Sequence, residues 1–159
     1  MAEIIVTVTT YMAANLTDLN VTNRATHPQL GTNWVLMGSI DAVENNKNYF
    51  PLVTVNLMDE SQDDILGMGQ TATIDTTRLM VSVFAVRDYV IGSVEGMEIC
   101  RTVMRDIVDT ITTNWRENIS VTDRLLFKII NIKPRPYDWD KFLYAMDAVV
   151  EVKSIDAGS

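Results

Sequence analysis

The stretch "SVEGMEICRTVMRDIVDTITTNWREN" constrains the fold more than any other part of this chain. Met97, Cys100, Met104, Ile107, Val108, Ile111 and Trp115 recur at three- and four-residue steps, which places them in one arc of an α-helix. Ser93 is positioned to cap it, with Glu95 and Glu98 near the positive end of the helix dipole. A helix with one apolar stripe gains most of its stability by laying that stripe on another element. Ile99 and Val103 lie off the arc on a second apolar edge. They fit contact with a neighbouring loop or a first helix, and they fit a subunit interface.

The element beneath the stripe is a sheet. "TTRLMVSVFAVRD" is rich in β-branched residues, and both of its faces (Leu79, Val81, Val83, Ala85; Met80, Phe84, Val86) are largely apolar, which predicts a central strand covered on both sides. "RLLFKIINIKP" and "KFLYAMDAVVEVKS" flank the turn residues of "RPYDWD" and predict a hairpin. In the second of these, Phe142, Tyr144, Met146, Ala148, Val150 and Val152 alternate with a face carrying Asp147, Glu151 and Lys153, a half-exposed antiparallel strand. "NWVLMGSID" and "YFPLVTVNLMD" read as a further pair across the polar turn "AVENNKN". In "EIIVTVTTYMAANL", Ile4, Val8, Tyr11 and Met12 suit a helix while Ile4, Val6 and Val8 suit a strand; helix is the expectation. The sum is an α+β fold, a mostly antiparallel β-sheet packed by a long amphipathic helix and an N-terminal helix. It reads as a single domain over residues 1–159, with 155–159 frayed.

A domain of 159 residues buries roughly two thirds of the surface of its unfolded chain and folds without staples. One cysteine, Cys100, leaves no intramolecular disulfide, and no Cys/His spacing suggests zinc; a reducing compartment is the simpler inference. The first residues, "MAEIIVTVTT", carry no basic n-region, and no apolar run approaches the roughly 20 residues of a membrane span. The expectation is a chain neither exported by that route nor embedded in a membrane, with the Asn-x-Ser/Thr triplets at Asn15, Asn20 and Asn118 read as coincidence. The formal net charge of −8 with scattered Lys and Arg argues against wrapping nucleic acid by phosphate neutralisation. It fits a surface that nucleic acid passes without adsorbing.

Four carboxylates, Asp59, Glu60, Asp63 and Asp64, crowd what reads as a loop after the strand "FPLVTVNL". Their spacing lacks the alternating acids, central glycine and distant glutamate of an EF-hand, and exposed acids have no pocket to split their pKa values. A solvated loop is the expectation, with no metal and no catalytic pair. "GMG" at Gly67 to Gly69 is followed by no Lys-Ser/Thr and reads as turn glycines. His27 in "THPQLG" reads as a surface-loop histidine, and Cys100, on the helical stripe, as a core thiol. In "KPRPYDWDKF", Arg135, Tyr137 and Trp139 sit in a proline-stiffened loop. These residue types are enriched at protein interfaces, and they equally suit a hairpin tip whose aromatics fold back on the sheet.

The order of these elements resembles the tail terminator (tail completion) proteins of long-tailed phages and related tailed viruses. A leading helix, "FPLVTVNL", an acidic segment ending near Gly67, "LMVSVFAV", one long amphipathic helix and a closing hairpin carry the resemblance over most of the chain, in pattern rather than in a diagnostic motif. The long polar stretch before Trp34 departs from the compact start of the simplest members. The resemblance implies a hexameric ring in the virion, assembled in the host cytoplasm, that caps the tail tube protein and joins it to head–tail connector proteins, with no cofactor and no catalysis. On that reading the Asp59 to Asp64 segment is a channel or assembly element that DNA passes without specific binding, and Arg135, Tyr137, Trp139, Ile99 and Val103 are subunit or partner contacts. Other virion components (a head–tail stopper, an adaptor, a tube-like protein) remain open, as does an enzymatic or ligand-binding α+β domain.

Overall fold

The structure is a computed structural model, and it describes residues 2–16, 27–30, 34–44, 46, 49–64, 73–86, 96–118, 125–136, 138–139 and 142–156. Its fold is α+β, with a five-stranded sheet and two helices: α1 (Ala2–Asn15), β1 (Val35–Met37), β2 (Leu52–Asp64), β3 (Thr73–Val86), α2 (Gly96–Asn118), β4 (Leu125–Pro134) and β5 (Leu143–Asp156). The strand order is β1-β2-β3-β5-β4. As its apolar faces require, β3 is central, with Leu79, Val81, Val83 and Ala85 on one side and Ser82, Phe84 and Val86 on the other all buried. It pairs antiparallel with β5 along its whole length, from Thr73 opposite Asp156 to Val86 opposite Leu143.

Both helices pack on the face carrying Val81 and Val83. α2 lies over β3, β5 and β4, and α1 lies beside it over β1 and β2. The Cys100 thiol donates to the carbonyl oxygens of Val83 at 3.6 Å and Tyr144 at 3.7 Å, which seats the first turns of α2 on the β3–β5 pair. Cys100, Met104, Ile107 and Ile111 are buried as the stripe demands. The helical period of Ile4, Val8, Tyr11 and Met12 holds in α1, where Val8, Tyr11 and Met12, with Leu16 just past the helix, are buried. The Tyr11 hydroxyl donates to the Thr110 carbonyl at 3.4 Å and ties the two helices together. Gly96 opens α2 against the Tyr144 ring. A Cβ there would collide with that ring and lie 3.2 Å from the Val86 carbonyl oxygen, so the closest approach of helix to sheet requires glycine.

Four sequence expectations change. The β1–β2 pair is parallel, Val35 opposite Val53 and Met37 opposite Val55, and is not a hairpin; a short 3-10 helix, Ile40–Ala42, lies between the two strands in the chain. The acidic segment is not a loop, because β2 continues to Asp64. Its outer half is paired in register with Thr73–Arg78 of β3, a Thr-rich partner that supplies the ladder the acids would not favour by themselves. In β5 the second face is also covered, with Leu143, Ala145 and Val149 buried, and Phe142 stands before the strand with φ 55° and half exposed. His27 is fully buried rather than on the surface. Its Nδ1 accepts from the Gln29 and Leu30 amides, both at 3.1 Å, so the ring proton sits on Nε2, which donates to the Tyr49 carbonyl at 3.0 Å. With the Trp34 ring centroid 4.5 Å away, this imidazole fastens the segment before β1 to the segment before β2. The Ser93 cap, Glu95 and the glycines at 67 and 69 lie outside the described residues, as does the Trp115 side chain.

Replacing Ile107, fully buried beneath α2, by Ala should lower unfolding free energy by about 2–5 kcal/mol, lost burial plus cavity. Gly96→Ala should cost about 1–3 kcal/mol through overpacking against Tyr144. Chemical denaturation of each variant checks both; a change below about 0.5 kcal/mol at Ile107 would show that α2 is not seated there.

Candidate functional site

The residues singled out from sequence fall into three places. Asp59 and Glu60 are exposed on the outer half of β2, and Asp63 and Asp64 end the same strand. A β-bulge between Leu57 and Asp59 shifts the register there and leaves Leu57 and Met58 about half exposed beside the acids. Only the first part of β2, Val53 to Val55, is covered on its outer edge by β1. From Asn56 onward no described strand pairs with that edge. At the opposite side of the sheet β4 is the terminal strand, and its exposed side chains include Lys128, Ile132 and Lys133.

The charges on the face away from the helices are arranged in rows across the strands. Asp59, Arg78 and Glu151 stand side by side in register, with Arg78 Nη1 3.5 Å from Asp59 Oδ2 and Arg78 Nε 3.3 Å from Glu151 Oε2. Lys128 is opposite Glu151 in β4 and completes the row. The acids counted from sequence as one cluster are therefore separated: Asp59 belongs to a balanced cross-strand row. Among the described residues no group of three or more His, Cys, Asp or Glu side chains comes together in a way that could hold a metal ion.

At the hairpin, Arg135 does not face outward as a bare contact residue. Its Nε donates to Asp147 Oδ2 at 2.8 Å and its Nη2 to Asp147 Oδ1 at 2.6 Å, a two-pronged pair, while Ser82 Oγ donates to the same Oδ1 at 2.6 Å. The guanidinium also lies 5.1 Å from the centre of the Phe84 ring. The side chain thus folds the loop back over β5 and β3 and walls a shallow cleft of about 240 Å³ with Ile40, Phe84, Asp138 and Leu143. That volume is below the range of small-molecule sites. Burial pushes the Asp147 carboxyl up, but the hydrogen bonds from Arg135 and Ser82 and the charges of Arg135 and Lys133 outweigh it and hold its pKa below the ordinary aspartate value. The hydrogen bond to Asp147 in turn raises the Arg135 pKa against the effect of burial.

Beyond Arg135 the tip is closed by reciprocal backbone bonds between Asp138 and Leu143, at 3.0 and 3.2 Å. Trp139, just past it, is 68% exposed. Tyr137 lies outside the described residues. The expectation that Ile99 and Val103 meet a partner is corrected, because they are 6% and 2% exposed within the single chain. Together with Thr110 they widen the buried arc of α2 toward α1. Cys100 is buried, and burial pushes its thiol up to about 12, which leaves it a packing group. Sequence reasoning missed Arg78 and Lys128, which belong to the charged row, and the Asp147–Ser82 pair. The signal was present in the strand alternation, but it needs the register to be read.

Because the Asp147 pKa is lowered on folding, its contribution is fully present above the unfolded value of about 3.9 and is lost as pH falls through the folded value. Asp147→Asn should therefore cost about 1–2 kcal/mol at neutral pH, a charge-assisted pair discounted for a half-exposed arginine. The deficit relative to the parent chain should shrink as pH falls below about 4. Denaturation midpoints at several pH values check this; a deficit independent of pH would mean that the carboxylate is not held by Arg135.

No family model and no curated protein matches this chain. Among solved structures it is similar to a chain from "Virion of native gene transfer agent (GTA) particle", at 13% sequence identity and a TM-score of 0.48, over 91% of this chain and 95% of that chain.

Proposed function

We propose that this chain is a structural virion protein, a tail terminator that assembles as a hexameric ring, caps the tail tube and joins it to the head connector. The observation that carries the reading is the sheet. Among the described residues no strand pairs with the outer half of β2 or with the far edge of β4, the β2 side is acidic and carries half-exposed Leu57 and Met58, and both helices back the same face. An open strand with exposed apolar residues is a place where another chain adds. The order of elements supports the same reading, since the leading helix, central strand, long helix and closing hairpin fall where the resemblance to tail terminators puts them.

In such a ring no reaction is required of the protein. Carboxylates near a lumen repel phosphates, so that duplex DNA slides without adsorbing. The exposed Trp139 at the hairpin tip presents a large amphipathic ring at low entropic cost, the kind of anchor that a tube or connector protein would grip. Another neck or tail component, such as a stopper, adaptor or tube-like protein, would use the same open-sided sheet, and differs in ring position.

Electron microscopy of the purified chain, alone and mixed with tail tubes, tests the reading: six-fold rings with a central pore, seated at one end of the tubes, are expected. A compact monomer that ignores tubes would overturn it. Trp139→Ala should leave the fold intact and weaken tube capping by about tenfold or more. Conversion of Asp59, Glu60, Asp63 and Asp64 to Asn or Gln should change stability by less than about 1 kcal/mol while increasing retention of DNA by the rings.

A further inference from the structure

The two sides of the sheet that no described strand covers match one another. On the helix-free face, one row reads Asp59, Arg78, Glu151, Lys128 from β2 to β4, alternating in sign and ending in an acid at one side and a base at the other. On the opposite face the neighbouring row reads Leu57, Leu79, Val150, Ile129, apolar throughout, and its β2 end, Leu57, is 50% exposed. Each row stops with the group that its other end would accept.

The backbone matches as well. The part of β2 that no described strand pairs with begins at Asn56, whose side chain donates to the Gly38 carbonyl at 3.0 Å and which is level across the sheet with Met80, Val149 and Ile130. Gln62 is level with Asp75, Ser154 and Leu125. The open half of β2 therefore stands at the height of Leu125 to Ile130 in β4. Below that height β1 covers β2 at Val53 to Val55, and at the corresponding height β4 leaves its register between Ile130 and Lys133, with Asn131 at φ 53°. The bulge bends β4 away where the β1 of a neighbour would stand. Strand directions agree too: β2 is antiparallel to β3, β3 to β5 and β5 to β4. A second copy continuing the sheet in the same sense brings its β2 antiparallel to β4.

We propose that one copy of this chain adds the Asn56–Gln62 edge of β2 to the Leu125–Ile130 edge of β4 of the next copy, with Asp59 beside Lys128 and Leu57 beside Ile129. The junction rests on the ring reading above and gives it a contact. It joins unlike surfaces, so it repeats head to tail and closes as a ring when the rotation permits. Main-chain bonds between the strands supply attraction, the apolar row excludes water, and the charge row sets the register, since a slip of one residue moves every side chain to the other face.

The test mixes two single-cysteine variants, Asp59→Cys and Lys128→Cys, under mild oxidation. Both positions are exposed and Cys100 is buried, so folding should be unaffected and background crosslinking low; circular dichroism checks the first. Directly opposed residues on paired strands come close enough for a disulfide. The mixture should give a crosslinked dimer that neither variant gives alone, and Lys128→Glu should weaken assembly by about tenfold or more in low salt, with a smaller loss in high salt. Rings that form without the mixed crosslink would overturn this junction and leave the ring reading standing. Self-crosslinking of Asp59→Cys would overturn it in favour of a two-fold contact. A parent chain that stays monomeric at every concentration would overturn junction and ring together.

Discussion

The uninterrupted register between β3 and β5 is the constraint on which the rest depends. Fourteen residues of β3 run against β5 without a bulge, so side chains on each face stay in step from one end of the sheet to the other. That is what lets Leu79, Val81, Val83, Ala148, Val150 and Val152 form one apolar floor for α2. It also aligns Arg78 with Glu151 and Ser82 with Asp147 on the other face. The bulges are confined to the outer strands, at Leu57 in β2 and after Ile130 in β4. The irregularities sit at the sides where a neighbour would dock.

The charge of the chain acquires a physical role through this register. Taken from composition, an excess of eight negative charges argues only for solubility and against nucleic-acid wrapping. Placed on the sheet, the acids divide into kinds. Asp147 and Glu151 lie inside the face and are matched by Arg135, Arg78 and Lys153. Asp59 and Glu60 lie on the outer half of β2, where Arg78, shared with Glu151, reaches Asp59. In the proposed junction a basic strand meets the acidic one, and that complementarity would favour one docking geometry over others.

How much of this was legible depended on whether a signal was local. The 3.6-residue period of α2 and the two apolar faces of β3 are properties of contiguous sequence, and the structure buries Cys100, Met104, Ile107 and Ile111 of the stripe and most of both β3 faces, while Met97, Val108 and Met80 are half-buried. The helical reading of α1 rested on Ile4, Val8, Tyr11 and Met12 and holds for the same reason. The parallel direction of β1 was not local: its three residues run alongside Val53–Val55 of β2, and nothing in "VLM" encodes that direction. Asp59 to Asp64 have poor strand propensity and were read as a loop; the strand is imposed by pairing with Thr73–Arg78. His27 looked like a surface residue because its partners, Tyr49 and Trp34, are brought to it only by the fold. Ile99 and Val103 were ambiguous because a second apolar edge on a helix looks alike whether a neighbouring helix or another subunit covers it.

In the proposed assembly the outer half of β2 and the matching half of β4 become one ladder. Hydrogen–deuterium exchange, read at residue level on dilute monomer and on assembled protein, tests it directly. New protection is expected at Asn56–Gln62 and Leu125–Ile130, on alternate amides as a paired strand requires, with β3 and β5 unchanged because they are already paired in the single chain. Protection that appears instead on α1 or around Trp139, with the outer halves of β2 and β4 exchanging as they do in the monomer, would contradict it.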